Sequence, residues 1–290
     1  WLFLADDVVD AGPLVLPVYE GSHHSYMGSS STTDQRRRRA NPVSPPSWSD
    51  CVVSKLRYPG NDPPLPAAGL HPSQILLSAL GELWTDISSH ITPRRRAHFI
   101  TTMEAHFKAS KLHESLNSTF MPRQMPCDPV HATSIAEYMA LRRDSSGFLV
   151  GVELHHYALG LDEDLMMTLN GSPMEELQCL VVDYMCMCND LVSCRMESAA
   201  GTYLNLPYIV YNNGSVTSIE DAVETVVDMM ARVDARSVLV VKIIQRDHAD
   251  MMEREPKLKA YLESIVSFMS GTLCWSYETV RYGLQGTSCH

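Results

Sequence analysis

From Ser73 almost to the end of the chain, apolar residues recur every three or four positions, and hardly any stretch alternates at the period of a strand. That spacing commits the chain to packed helices. Ile75, Leu76, Leu80, Leu83, Trp84 and Ile87 mark the first such face. Pro93 suits the first turn of the next helix, which runs past Phe99, Met103 and Phe107. Further helices are predicted over 130–143, 147–159 and 173–200, from Ser218 to about Ala235, over 237–253, and from Pro256 to Gly283. Asn212-Asn213-Gly214 reads as a stop, and Ser218 with Asp221 as a cap. Residues 1–10 read as the end of a helix. The expected class is all-α, with eight or more helices in one domain over 1–290.

Composition narrows the partners. The 290 residues are 45% hydrophobic and 20% charged, with a net charge of −11. An acidic chain is a poor partner for nucleic acid, which needs stripes of Lys and Arg. A small anion held by a few local arginines and metal ions remains open. No apolar run was expected to reach the ~18 residues of a membrane span, so no stable membrane insertion is expected. Eight cysteines form no CxxC pair and are read as reduced, buried small hydrophobes, which places the chain in the cytoplasm. His23-His24 and His155-His156 are adjacent pairs without the i,i+4 spacing of a zinc-binding helix. Oligomeric state is not legible.

Residues 12–70 differ from the rest. They hold most of the prolines, a Ser/Thr run and the basic run Arg36–Arg39, without periodicity. Two readings apply: a disordered surface insertion, or translated non-coding sequence. Neither makes Arg36–Arg39 a site. The chain opens inside an apolar segment, Trp1-Leu2-Phe3-Leu4, and is read as lacking its natural beginning.

Two motifs carry chemistry. Asp6-Asp7-Val8-Val9-Asp10 places carboxylates one turn apart on a helix. Their mutual repulsion would be relieved by a hard divalent cation such as Mg²⁺. A solvated helix end carries the same pattern, although Phe3 and Leu4 put this one at the mouth of an apolar segment. Asn189-Asp190-Leu191-Val192-Ser193-Cys194-Arg195-Met196-Glu197 is more specific. Positions i, i+4 and i+8 drift only about 80° around a helix. Asn189, Ser193 and Glu197 therefore line one stripe, a one-helix chelate that starts where the apolar run Leu180–Cys188 ends. An ordinary polar stripe facing water is the alternative.

Together the motifs resemble those of class I terpene synthases, particularly fungal sesquiterpene synthases of the basidiomycete type, with their D(D/E)xxD and NDxxSxxxE segments. Two more segments fit. Tyr138-Met139-Ala140-Leu141-Arg142-Arg143-Asp144-Ser145-Ser146-Gly147 resembles YxxxRRxTxG, and Arg281-Tyr282 resembles the family's C-terminal Arg-Tyr pair. The resemblance covers residues 1–10 and 73–285. It implies a class I terpenoid synthase (isoprenoid synthase) bundle around a central cavity, with N-terminal helices missing. It departs at Ser145, where Thr is frequent, and at Met196, where many relatives carry Lys.

By the same resemblance, Asp6 with Asp7 or Asp10 would bind two of three Mg²⁺ ions, Mn²⁺ being a possible substitute. Asn189, Ser193 and Glu197 would bind the third. Arg143, Arg281 and Tyr282 would hold diphosphate, with Ser146 and Gly147 at the helix break beside Arg143. Phe3, Tyr184 and Trp275 are candidate cavity liners, with core packing as the rival reading. The implied reaction is ionisation and cyclisation of an isoprenoid diphosphate, with C15 farnesyl diphosphate preferred. The alternatives are a truncated, inactive homologue and a trans-prenyltransferase, which would carry two DDxxD motifs where this chain has one.

Overall fold

The computed structural model describes residues 47–59, 72–122, 133–161, 165 and 173–284. The described residues contain helices and no strand. Two compact units divide at His90.

The first unit contributes α1 (Trp48–Arg57) and α2 (Pro72–Ser89). Helix α1 corrects the expectation that 12–70 lacks regular structure. Ser47 caps it through a reciprocal box with Asp50, and Val52 and Leu56 are buried one turn apart. Trp84 of α2 is buried, and its indole N–H donates to the Leu56 carbonyl at 2.6 Å. Gly81 lets α2 approach closely, because a Cβ there would collide with the buried stem of Lys55.

The second unit contains α3 (Pro93–Asn117), α4 (Ile135–Ser145), α5 (Phe148–Ala158), α6 (Pro173–Ala199), α7 (Leu206–Asn212), α8 (Ile219–Asp247), α9 (Ala249–Arg254), α10 (Pro256–Glu278) and a 3₁₀ turn, Val280–Tyr282. Helix α6 is the hub and packs against α4, α5, α7, α8 and α10. Leu177, Val181, Val182, Cys186 and Cys188 of α6 meet Val226, Val240 and Ile244 of α8 and Leu258, Tyr261 and Ile265 of α10. Each fully buried Leu or Ile contributes about 1.5–3 kcal/mol. Position at the hub explains the composition of α6. It contains an 18-residue window of mean hydropathy 1.2, apolar enough to cross a membrane, yet half of that window is buried against its neighbours. The expectation that no such window exists is corrected on this point.

Most sequence-predicted helices form close to the expected bounds, and the differences have local causes. The break expected near Ala235 is absent, because α8 runs through to Asp247. Ser237 is buried there and donates to the Val233 carbonyl at 2.9 Å, which satisfies its hydroxyl inside the helix. Helix α7 was not expected. The Asn205 side chain caps it by accepting from Tyr208 N–H, and a proline sits in its first turn. The last helix ends at Glu278, and a 3₁₀ turn closes on Gly283, whose φ is 64°.

The histidine pair expected to be unsuited to zinc is taken up by packing. His155 bonds Ser264 at 2.7 Å, and His156 bonds the Tyr261 hydroxyl at 2.7 Å. No cluster of three His, Cys, Asp or Glu suited to a metal occurs among the described residues. The six described cysteines are free; Cys186, Cys188 and Cys194 are buried, whereas Cys179 and Cys274 are exposed, contrary to expectation. Cys127 and Cys289 lie outside the described residues.

Candidate active site

The polar stripe sits in the C-terminal half of α6, and its centre is a residue between the predicted ligands. Asp190 is buried, with a side chain 3% exposed. Arg142 donates to its Oδ1 through Nη2 at 2.8 Å and through Nε at 3.1 Å. Its Oδ2 accepts from the Tyr138 hydroxyl at 2.6 Å and from Leu206 N–H at 3.0 Å. Tyr138 and Arg142 stand one turn apart on α4, so one helix face delivers both. Burial works against the Arg142 charge, but the Asp190 carboxylate outweighs it and pushes the pKa up. Burial and the same carboxylate also push the Tyr138 phenol up.

Arg142 also fixes Asn189. Its Nη2 donates to Asn189 Oδ1 at 2.9 Å, while Asn189 Nδ2 donates to the Tyr282 hydroxyl at 2.8 Å. The amide is thus oriented from both ends, since a flip would set two donors against each other. Tyr282 is buried, and the Trp275 ring meets it edge-on at 5.9 Å. Burial raises the Tyr282 phenol, partly opposed by Arg281 and Asn189, so it stays protonated at neutral pH and keeps a proton to donate.

One turn on, Ser193 is 2% exposed and its Oγ completes no hydrogen bond among the described residues. It lies close enough to Glu197 for its hydroxyl to lower that carboxyl's pKa as a hydrogen-bonding group, although the contact falls short of full hydrogen-bond geometry. Glu197 Oε2 accepts from Asn205 Nδ2 at 3.0 Å. Burial raises the Glu197 pKa first, and the Asp190 charge adds to it. A buried hydroxyl oxygen without a partner beside a desolvated carboxylate is a poor arrangement by itself. A hard cation taking oxygen from Ser193, Glu197 and the second lone pair of Asn189 Oδ1 would relieve both faults, so these side chains fit a divalent metal.

The structure brings Asn189 and Tyr282 into contact and puts Ser193 and Glu197 on the same helix. Arg143 is directed elsewhere: its Nε and Nη2 donate to the two carboxylate oxygens of Asp183, at 2.6 and 2.8 Å. Ser146 and Gly147 lie at a true break, where Gly147 has φ 76° and starts α5. Trp275 is 36% exposed, and Tyr184 is half-buried against the core. Arg281 sits on the 3₁₀ turn, its N–H capped by Thr279. Asp6, Asp7, Asp10 and Phe3 lie outside the described residues. A cleft of about 150 Å³ among Thr101, Thr102, His106, Asp144 and Leu149 contains none of the predicted site residues.

Sequence reasoning left Asp190, Asn205, Asp183, His113 and Arg142 without roles, and nothing in it excluded a solvated Arg142. Arg142 is instead 12% exposed. The spacing of Tyr138 and Arg142 was the available signal.

His113 shares this site. Its Nε2 is buried without a partner among the described residues, and burial, followed by the Arg142 charge, holds its pKa down at about 4 from 6.5. Asp190 and a bond to the Leu204 backbone oppose the shift. The unfolded chain therefore binds this proton more readily, and the stability that neutral His113 confers is complete above pH 6.5 and fades toward pH 4. Urea unfolding is expected to show a loss of about 2 kcal/mol from this group between pH 7.5 and 5. His113→Gln should flatten that slope, and an unchanged slope would refute the assignment.

The chain is 23% identical over 234 residues to delta(6)-protoilludene synthase 8 of Postia placenta, covering 80% of this chain and 61% of that protein. It is 29% identical over 148 residues to bifunctional terpene synthase Agr4 of Cyclocybe aegerita, covering 51% of this chain and 41% of that protein. The chain thus spans about three fifths, or less, of the length of these curated relatives. Germacradien-4-ol synthase from Streptomyces citricolor superposes with a TM-score of 0.61 at 18% identity, covering 80% of this chain and 68% of that one. An a-eudesmol synthase gives 0.62 at 15% identity, with 80% and 69% covered. These likenesses show that the fold is that of class I terpene synthases. Residues 55–233, more than half of the chain, match the family model for terpene synthase family 2, C-terminal metal binding, and the chain therefore belongs to the terpene synthase family.

Proposed function

We propose that this protein, as a single synthase domain, carries out Mg²⁺-dependent ionisation and cyclisation of an isoprenoid diphosphate, preferably farnesyl diphosphate, releasing diphosphate. The observation that carries this reading is the stripe Asn189, Ser193 and Glu197, with its unpartnered buried Ser193 oxygen and its direct bond to Tyr282. Mg²⁺ would supply Lewis-acid neutralisation of the charge that develops on the leaving diphosphate.

The chain's own residues do the rest. Asn189, Ser193 and Glu197 offer three oxygens on one helix face. Arg142 and Tyr282 hold the Asn189 amide, so that its oxygen needs little rearrangement to act as a ligand. The Tyr282 hydroxyl, already accepting from Asn189, donates its proton to a diphosphate oxygen. Arg281, next to it, and Arg143 add guanidinium donors suited to phosphate. Asp6, Asp7 and Asp10 complete the metal set from the other motif. Trp275 and Tyr184, with Phe3, present aromatic faces that stabilise a carbocation. The free thiols suit a reducing cytoplasm, and neither nucleic acid nor a membrane is a partner in this reading.

The test is incubation with farnesyl diphosphate and Mg²⁺, with an EDTA control, read by GC–MS. A metal-dependent terpene hydrocarbon or alcohol is expected, and Asn189→Ala should abolish it. Folded protein that yields no product would count against the reaction and favour a catalytically inactive homologue.

A further inference from the structure

The adjacent arginines of α4 have divided roles. Arg142 and Asp190 are 12% and 3% exposed and are tied to Tyr138, Asn189 and Leu206. That pair is fixed. Arg143 and Asp183 are 39% and 13% exposed, and among the described residues each has only the other as a hydrogen-bond partner through its side chain. That pair can exchange. The grip is side-on, through Nε and Nη2, and its two short bonds leave no charge on Arg143 unanswered.

Asp183 precedes Asn189 by six residues on α6, about 9 Å along the helix axis at 1.5 Å per residue. It also faces about 120° away from Asn189 around that helix. A guanidinium clamped there is parked away from the metal stripe. To meet a diphosphate held at Asn189, Ser193 and Glu197, Arg143 must leave Asp183. It stands one turn before the α4–α5 break, and its own carbonyl accepts from Ser146 Oγ at 3.4 Å. Gly147, four residues after Arg143, interrupts the helical path with a left-handed φ of 76°. Movement of Arg143 is therefore confined to the end of a helix and does not require α4 to shift as a whole.

We propose that Asp183 is a positioning residue that occupies Arg143 in the substrate-free protein, and that the diphosphate group competes with the Asp183 carboxylate for this guanidinium. The inference rests on Arg143 being a diphosphate ligand, as in the proposed function. An equilibrium that favours the parked state lowers apparent diphosphate affinity by the fraction of molecules in which Arg143 is released. The carboxylate also repels the incoming anion. Both effects have the same sign, so removing the charge at position 183 tightens diphosphate binding.

The experiment is calorimetric titration of the full chain with inorganic diphosphate in the presence of Mg²⁺. Asp183→Asn is expected to bind about tenfold more tightly than the wild type. Adding Arg143→Gln to that variant should erase the gain. A merely structural Asp183 would give unchanged or weaker binding in Asp183→Asn, and that result overturns the proposal. So does the absence of diphosphate binding in both proteins. Should Asp183→Asn lower the thermal midpoint, Asp183→Ser provides the same comparison with a smaller side chain. Failure of the synthase reading is visible separately. Wild type inert toward farnesyl diphosphate, with tighter diphosphate binding in Asp183→Asn, would sink the reaction and support the competition.

Discussion

Asp190→Ala is expected to cost about 3–5 kcal/mol of stability, the cost typical of leaving one charge of a buried pair without its partner. The Arg142 guanidinium, 12% exposed, would keep its charge and lose its counter-ion. The Tyr138 hydroxyl and Leu206 N–H would lose the acceptor they share. Each such group adds its own desolvation penalty. In thermal unfolding the loss corresponds to a midpoint lowered by on the order of 10 °C for a domain of this size. Asp190→Asn keeps an acceptor without the charge and should fall between the two. Pairing Asp190→Ala with Arg142→Met should recover part of the loss, because the double variant removes the stranded charge. A single variant within 1 kcal/mol of wild type would refute the role given to this pair.

Glu197→Gln should behave in the opposite way. Burial and the neighbouring Asp190 charge raise the Glu197 pKa, so the folded protein favours the neutral side chain more than the unfolded chain does. A neutral isostere is then expected to match or exceed wild-type stability in metal-free buffer. Catalysis should pay for it. Loss of one anionic ligand from the stripe is expected to lower Mg²⁺-dependent turnover of farnesyl diphosphate by about 10²–10³, the scale seen when one electrostatic group is removed from an active site. The Mg²⁺ concentration for half-maximal rate should rise as well. Full turnover in Glu197→Gln would eliminate this carboxylate from the metal set. A buried acid and a half-buried one on the same helix thus divide between stability and reaction, although they stand only seven residues apart.

What could be read from the sequence was local. The i, i+4, i+8 stripe on α6 needs only helical geometry, and the Ser218–Asp221 cap is contained within four residues. Ser146-Gly147 was placed at a break by the family resemblance alone, and the left-handed φ of 76° found at Gly147 is the conformation that favours glycine. The role of Asp190 was not legible, since Tyr138 and Leu206 lie 52 and 16 positions from it. Nor was the Arg143–Asp183 grip, which joins α4 to α6 across 40 positions. Helix α1 was overlooked in proline-rich surroundings, although Ser47 and Asp50 spell its cap. Arg236, where a break was expected in α8, pairs with Glu176 of α6 at 2.6 Å and helps hold a helix whose local pattern had weakened.

The bond between Asn189 and Tyr282 joins residues 93 positions apart and so bears on the order of assembly. A chain emerging from the ribosome can close the Tyr138–Asp190–Leu206 knot once α7 has been made, because all three partners are then present. Asn189 is at that stage tethered from one side only, by Arg142. Its second tether arrives with the 3₁₀ turn after α10. Neutralisation of the buried charges therefore comes first in synthesis, and bracing of the proposed metal ligand is among the last events of folding.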